Sequence, residues 1–303
     1  MTVRRPIAPA DIDAIGDLAA AAEVADHHPP FGDAVWRDLA HPTPASMLVI
    51  AESGGQAVGA LHLAPPENRG ETGLIAAIVV EPRHPRGEIE PALVEAALAD
   101  EAVAGSRVLL WVFGADAAAD RFTAASGLRR ERELRQMRVE LPVAMSPGWP
   151  AGVDVRTFRP GIDEEPWLSV NNRAFADDPD QRGWTLETLR RREEEAWFDP
   201  EGFLLAWRGD ALAGFCWTRL HPAAPPNEPE PLGEIYVIGV DPEHQGIGLG
   251  RALVAGGLAS LHDRGVRIGM LFVDATNTAA IGLYDKLGFV VARVDRAYVR
   301  DAP

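Results

Sequence analysis

The chain has a single cysteine, Cys216, and a single lysine, Lys286. One cysteine excludes an internal disulfide and fits a reducing compartment, so a cytoplasmic location is expected. No His–Cys signature accompanies Cys216, and a thiol nucleophile is not expected there. The eight histidines show no metal spacing. His27 and His28 are adjacent and cannot share one helix face, so no metal is expected. No apolar run reaches the ~18 residues of a membrane span, and the N-terminus has no charged start followed by an apolar core. Neither a membrane span nor a signal peptide is therefore expected. Basic residues are also short, with 29 Lys and Arg against 45 Asp and Glu and a formal net charge of -16. That balance argues against a nucleic-acid partner and favours a soluble partner or a cationic substrate. No partner chain is indicated, and a monomer is expected.

The 47% apolar and 24% charged residues are those of a soluble globular protein, and 303 residues suggest about two domains. The richest stretch is residues 233–251, GEIYVIGVDPEHQGIGLGR. It reads as a β-branched and aromatic strand from Glu234 to Val240, ended by Asp241-Pro242. A glycine-rich loop follows, Gln245-Gly246-Ile247-Gly248-Leu249-Gly250, and then a helix opening near Arg251. Leu253, Val254, Gly257, Leu258 and Leu261 form one stripe of that helix. Glycines at such a turn let backbone approach a ligand, and the helix N-terminus favours an anion such as pyrophosphate. The spacing is not the dinucleotide G-x-G-x-x-G, and no Walker G-K-[ST] is present. A glycine-rich turn without a ligand is the alternative at this point.

The order V-x-P followed by Q-x-x-G-x-G resembles the acyl-CoA loop of the GCN5-related N-acetyltransferase (GNAT) superfamily. Downstream, Met270-Leu271-Phe272-Val273 reads as a short strand. Asn277-Thr278-Ala279-Ala280-Ile281-Gly282-Leu283-Tyr284, then Lys286-Leu287-Gly288-Phe289, resembles the closing GNAT helix and its turn. The resemblance implies a mixed α/β fold with acetyl-CoA as co-substrate. It implies that the backbone of Ile238, Gly239 and Val240 binds the pantetheine arm and that Gln245 to Arg251 hold the pyrophosphate. Asn277 to Gly282 would line the CoA path, and Tyr284 would protonate the leaving thiolate. Glu234 is the candidate base. Period-two alternation puts Glu234, Tyr236, Ile238 and Val240 on one strand face, and burial penalises a charged carboxylate, which suits a base at neutral pH. The structural alternatives are a strand-end Glu paired with an Arg and a core Tyr.

The unit occurs twice. Residues 51–59 and 206–214 read as matching hairpins, Ile78-Val-Val-Glu-Pro82 mirrors Ile238-Gly-Val-Asp-Pro242, and Ala92-Leu93-Val94 mirrors Ala252-Leu253-Val254. Two tandem GNAT domains are expected, residues 1–145 and 153–303, joined by the Pro- and Gly-rich residues 143–152. The gapless alignment places Pro85 opposite Gln245, Glu88 opposite Gly248, Glu90 opposite Gly250 and Thr123 opposite Tyr284. The first copy is therefore expected to be degenerate and non-catalytic, the second catalytic. Backbone binding of CoA by the first copy is the alternative.

A closer resemblance covers both halves. Asn171-Asn-Arg-Ala-Phe175, Pro179-Asp-Gln181, Gly183-Trp-Thr185, Phe215-Cys-Trp-Thr-Arg219 and His221-Pro222 make the chain similar to the mycothiol synthase family of tandem GNAT enzymes. It implies acetyl transfer to the cysteinyl amine of desacetylmycothiol, with Asp33, Asp180, Arg219, Glu234 and Phe272 as substrate contacts. The family pattern has Glu near Asp33 and at Asp180, Lys at Arg219 and Tyr at Phe272. The first three keep their charge, whereas Phe272 lacks a hydroxyl. The alternatives are a tandem GNAT enzyme acting on another small amine, such as an antibiotic or polyamine, and a non-catalytic acyl-CoA scaffold.

Overall fold

The computed structural model describes residues 1–66, 73–176, 178, 181, 183–223, 228 and 230–302. They divide into two compact units, Met1–Leu134 with Arg293–Pro303, and Arg135–Ala292. The Pro- and Gly-rich residues 143–152 thus lie inside the second unit. The split between units falls earlier, within a strand.

In chain order the first copy runs β1 (Thr2–Arg4), α1 (Pro9–Asp26), α2 (Asp33–Ala40), β2 (Met47–Ser53), β3 (Gln56–Ala64), β4 (Leu74–Val80), α3 (Arg86–Ala99), β5 (Val108–Val112), α4 (Ala117–Ala125) and β6 (Arg129–Glu140). The second runs β7 (Asp154–Thr157), α5 (Glu164–Ala174), α6 (Leu186–Glu193), β8 (Phe203–Arg208), β9 (Ala211–His221), β10 (Leu232–Val240), α7 (Leu249–Asp263), β11 (Ile268–Asp274), α8 (Thr278–Lys286) and β12 (Val290–Arg300).

The repeat is real at the level of register. The first hairpin pairs Ala51 with Gly59 and slips one residue before Glu52 pairs with Ala57. The second pairs Ala206 with Gly214 and slips at the same place before Trp207 pairs with Leu212. In both copies the two hairpin strands and the next strand are antiparallel, and the strand after that is parallel. The result is a mixed α/β fold with a mixed sheet.

The closing strands are exchanged between the copies. Residues 296–300 of β12 pair antiparallel with 112–108 of β5, inside the first unit. Tyr298, Val299 and Ala297 are each at most 1% exposed there. Residues 135–140 of β6 belong instead to the second unit, where Met137 and Val139 join its core and the Leu141 N–H donates to Arg267 O at 2.8 Å.

The second unit has a core on each face of its strands. One is aliphatic, with α7 burying Leu249, Leu253, Val254, Leu258 and Leu261 against Cys216, Ile235 and Leu271. Each such side chain contributes on the order of 1.5–3 kcal/mol. The other is aromatic, with Phe158, Trp167, Trp184, Phe203, Phe215 and Trp217 packed around Val237. Trp217 stacks on Phe203 at 4.5 Å, and Trp167 meets Trp217 edge-on at 5.9 Å.

Candidate functional site

Two features of β10 create the site. Its parallel ladder with β11 runs from the Leu232–Ile268 pair to the Ile235–Leu271 pair, yet β10 continues to Val240 and β11 to Asp274. Beyond Ile235 the β11-facing edge of β10 is open for another extended backbone. The second feature is a β-bulge. Ile235 pairs with Thr218 and Val237 with Trp217, so Tyr236 is the extra residue. A bulge bends its strand and sharpens the twist, which is the local cause of divergence.

The bulge overturns the expectation that Glu234, Tyr236, Ile238 and Val240 share one face. Ile235, Ile238 and Val240 pack in the aliphatic core, while Tyr236 and Val237 pack in the aromatic one. A Cβ on Gly233 would meet Leu261 of α7 at 2.7 Å, and one on Gly239 would meet Phe215 at 2.9 Å. Glu234, flanked by Gly233 and Ile235, therefore lies on the aromatic face, opposite Ile238 and Val240.

Glu234 is 7% exposed, and its Oε2 lies 2.7 Å from Nε2 of His221. In the sequence His221 stands within the His221-Pro222 motif, with no role of its own. The missed signal was its spacing of two from Arg219 at the end of the adjoining strand. Arg219 stands directly opposite Glu234, and its guanidinium lies 4.7 Å over the Trp197 ring. Trp197 in turn packs edge-on against Tyr236 at 4.9 Å. Phe272, on β11 between buried Leu271 and Val273, is 38% exposed. Glu234, Arg219 and Phe272 thus stand on three neighbouring strands of one unit. Asp33 is the exposed first residue of α2 in the first unit. Asp180 lies outside the described residues.

Asp241 anchors the start of the loop. Burial opposes its ionisation, but hydrogen bonds from Arg173 of α5 and from the Glu243 N–H outweigh that and hold its carboxyl below the usual range. Gln245 Nε2 reaches Val240 O at 3.5 Å. Gly246 and Gly248 have φ of +80° and +85°, and no atom lies within 4 Å of a Cβ built on either. Gly248 is the N-cap of α7, with no side chain capping it and no acidic residue in the first turn. Such a helix start offers backbone N–H groups and the positive dipole end to an anion. Ile247 is 40% exposed.

Asn277 caps α8, its Oδ1 accepting the Ala280 N–H at 3.1 Å. Thr278, Ala279, Ala280, Ile281 and Gly282 form the first turns of that helix, and Gly282 has open space where a Cβ would project. Tyr284 is 6% exposed, with its ring 5.5 Å from Phe289. Burial pushes its hydroxyl up to about 12, and the neighbouring Cys216 adds to this. Burial alone pushes the Cys216 thiol up to about 12, so it is a neutral core side chain rather than a nucleophile.

The first unit keeps the short parallel ladder, from the Leu74–Val108 pair to the Ala77–Trp111 pair, but differs at the loop and at the tyrosine. α3 begins at Arg86 with Pro85 as its N-cap, so the residues aligned with the glycine loop form the opening turns of a helix. Glu88 lies in its first turn. Glu90 is raised above its ordinary value, chiefly by burial; Arg86 opposes this, and Asp116 and Asp26 add to it. A cavity of about 190 Å³ lies there, lined among others by Ile78, Val80, Arg86, Glu90, Asp116 and Phe122. Thr123, opposite Tyr284 in the repeat, donates its hydroxyl to Ala119 O at 2.7 Å. Among the described residues, no helix is long and apolar enough to cross a membrane, and no group of three His, Cys, Asp or Glu is placed to hold a metal ion.

Residues 167–289 match the model of the Acetyltransferase (GNAT) family. A mycothiol acetyltransferase of Thermobispora bispora is 44% identical over 305 residues, covering 99% of this chain and all of the relative. A GCN5-related N-acetyltransferase from Sphaerobacter thermophilus superposes with a TM-score of 0.75 at 27% identity, over 99% of this chain and 95% of that one. A tandem GNAT protein from the clavulanic acid biosynthesis pathway shares the fold, with a TM-score of 0.71 at 22% identity over 100% and 99% of the two chains. An identity of 44% spanning both copies is a likeness of the entire tandem arrangement, and the chain accordingly belongs to the mycothiol acetyltransferase family of GCN5-related N-acetyltransferases.

Proposed function

We propose that the second unit transfers the acetyl group of acetyl-CoA to the cysteinyl amine of desacetylmycothiol, the Cys–glucosamine–inositol conjugate, to give mycothiol. The observation that carries this reading is the whole-length likeness to mycothiol acetyltransferases. In this reading the groups divide the work as follows. Gln245 to Arg251 hold the pyrophosphate on the open loop and the uncapped α7 N-terminus. Ile238, Gly239 and Val240 bind the pantetheine arm along the open edge of β10, and a backbone N–H there polarises the thioester carbonyl. Asn277 to Gly282 line the remaining CoA path.

Glu234 takes the proton of the cysteinyl ammonium, directly or through one water, and frees the lone pair that attacks the thioester. Tyr284 keeps its proton until the CoA thiolate departs and then gives it up. The two groups lie on opposite faces of β10, so base and acid act from either side of the edge where the thioester sits. Arg219 and Phe272 contact the acceptor, with Phe272 packing against a sugar face. The first unit has no catalytic site of its own, and a monomeric cytoplasmic enzyme without a metal completes the reading.

A thiol-release assay with acetyl-CoA and desacetylmycothiol tests the assignment. Stoichiometric CoA release and an acetylated cysteinyl amine are expected. Efficient acetylation of an unrelated amine, with desacetylmycothiol ignored, would overturn the acceptor and leave acetyl-CoA in place. No turnover with any amine, alongside binding of acetyl-CoA, would favour the scaffold reading.

A further inference from the structure

The base does not stand alone. Glu234 and Arg219 are directly opposite in the antiparallel ladder, so their side chains share a face, and His221 is two residues on along the same strand. His221 is therefore Glu234's diagonal neighbour, and its Nε2 lies 2.7 Å from Oε2. The carboxylate side chain is 9% exposed and the imidazole 28%. A carboxylate able to act as a base is unprotonated and can only accept hydrogen bonds. The hydrogen in this contact must therefore belong to His221 Nε2.

We propose that His221 is the positioning residue of the acetyl transfer, an inference that rests on Glu234 being the base. Its Nε2–H donates to Oε2 and fixes the terminal torsion of the Glu234 side chain, which is otherwise broad. Oε1 is thereby left as the oxygen that takes the proton. When the ammonium loses that proton, the carboxylate becomes a carboxylic acid bearing hydrogen on Oε1. His221 keeps its own hydrogen throughout and exchanges nothing. The arrangement resembles the way a second group orients a catalytic base in hydrolytic triads, with the imidazole here as the orienter.

The test compares His221→Ala, His221→Asn, His221→Gln and Glu234→Gln in the full-length enzyme, each checked for an unchanged melting temperature. Glutamine carries its amide N–H about where imidazole carries Nε2–H, whereas the asparagine amide stops short of it. We expect His221→Ala and His221→Asn to lower kcat about 10- to 100-fold while KM for acetyl-CoA stays within about twofold. His221→Gln should recover most of the loss. If Gln fares no better than Asn, the hydrogen-bond role is overturned. If all three His221 variants keep wild-type kcat while Glu234→Gln does not, His221 has no positioning role and the base assignment stands. Full kcat in Glu234→Gln would remove the base itself, and this inference with it. The Asn and Gln variants keep a polar side chain in the pair, so their contrast remains readable even if Ala disturbs the strand.

Discussion

Tyr284 is 6% exposed, and its hydroxyl is pushed up to about 12, by burial first and by Cys216 second. Tyr284 is therefore protonated across the physiological range, as a group that is to protonate a departing thiolate must be. Tyr284→Phe should lower kcat while leaving acetyl-CoA affinity near wild type, a split read from steady-state kinetics and calorimetric titration. Glu234→Gln should lower kcat by about 10²–10⁴-fold. Burial of Cys216 has a separate consequence. Its thiol is pushed up from 9.0 to about 12, so between these values the unfolded chain binds fewer protons than the folded one. Stability is then complete below pH 9.0 and declines as pH rises toward 12. Cys216→Ala should flatten part of that alkaline decline in melting temperature, and the native thiol should resist DTNB at pH near 8.

Among the elements, α7 and α3 show how a repeat diverges. Both follow a buried strand, but α7 waits through a 3-10 turn at Pro242–His244 and an open glycine loop, whereas α3 opens directly after Pro85. Gly248→Glu should abolish turnover, because a carboxylate would enter the open space at an anion-seeking helix start and a positive φ would carry a side chain. Glu88→Gly should leave turnover near wild type. The packing of α7 depends on another glycine. A Cβ on Gly257 would come within 2.5 Å of Cys216 Sγ. Ala is favoured over Gly in a helix by about 1 kcal/mol, but the clash opposes this by roughly 1–3 kcal/mol. Gly257→Ala should therefore destabilise, and adding Cys216→Ala should restore stability by removing the sulfur. Chemical denaturation of both singles and the double measures that coupling.

For the whole molecule, the exchange of closing strands decides what can be separated. The first unit needs residues 293–303, since β12 covers β5 with Tyr298, Val299 and Ala297 buried. Deleting these residues should expose the β5 edge and remove several kcal/mol of burial, on the order of 1.5–3 kcal/mol per large side chain. Faster amide hydrogen exchange across β5 and lower solubility are expected. Exchange in β8 and β9, which belong to the other unit, should change less. A fragment starting at residue 153 would lack Met137 and Val139 of the second core and should be poorly folded by the same measures.

The hairpins, the strand at residues 234–240, the glycine loop and the two-copy organisation were legible in the sequence. Each is set by contacts within a few residues or by a pattern that repeats along the chain. Glu234, Tyr284 and the anion-seeking loop were legible as candidates for the same reason: residue type and spacing place them on recognisable elements. The bulge at Tyr236 was not legible, because an inserted residue in β10 shows only against its partner β9, and it reversed the face of Ile238 and Val240 relative to Glu234. The His221 contact arises from cross-strand register, which only the paired strands reveal. The earlier start of α3 and the exchange of β6 and β12 depend on how each core closes over its last strand. A closing strand is chosen by the apolar surface it covers, and local propensity along the chain carries no record of which copy that surface belongs to.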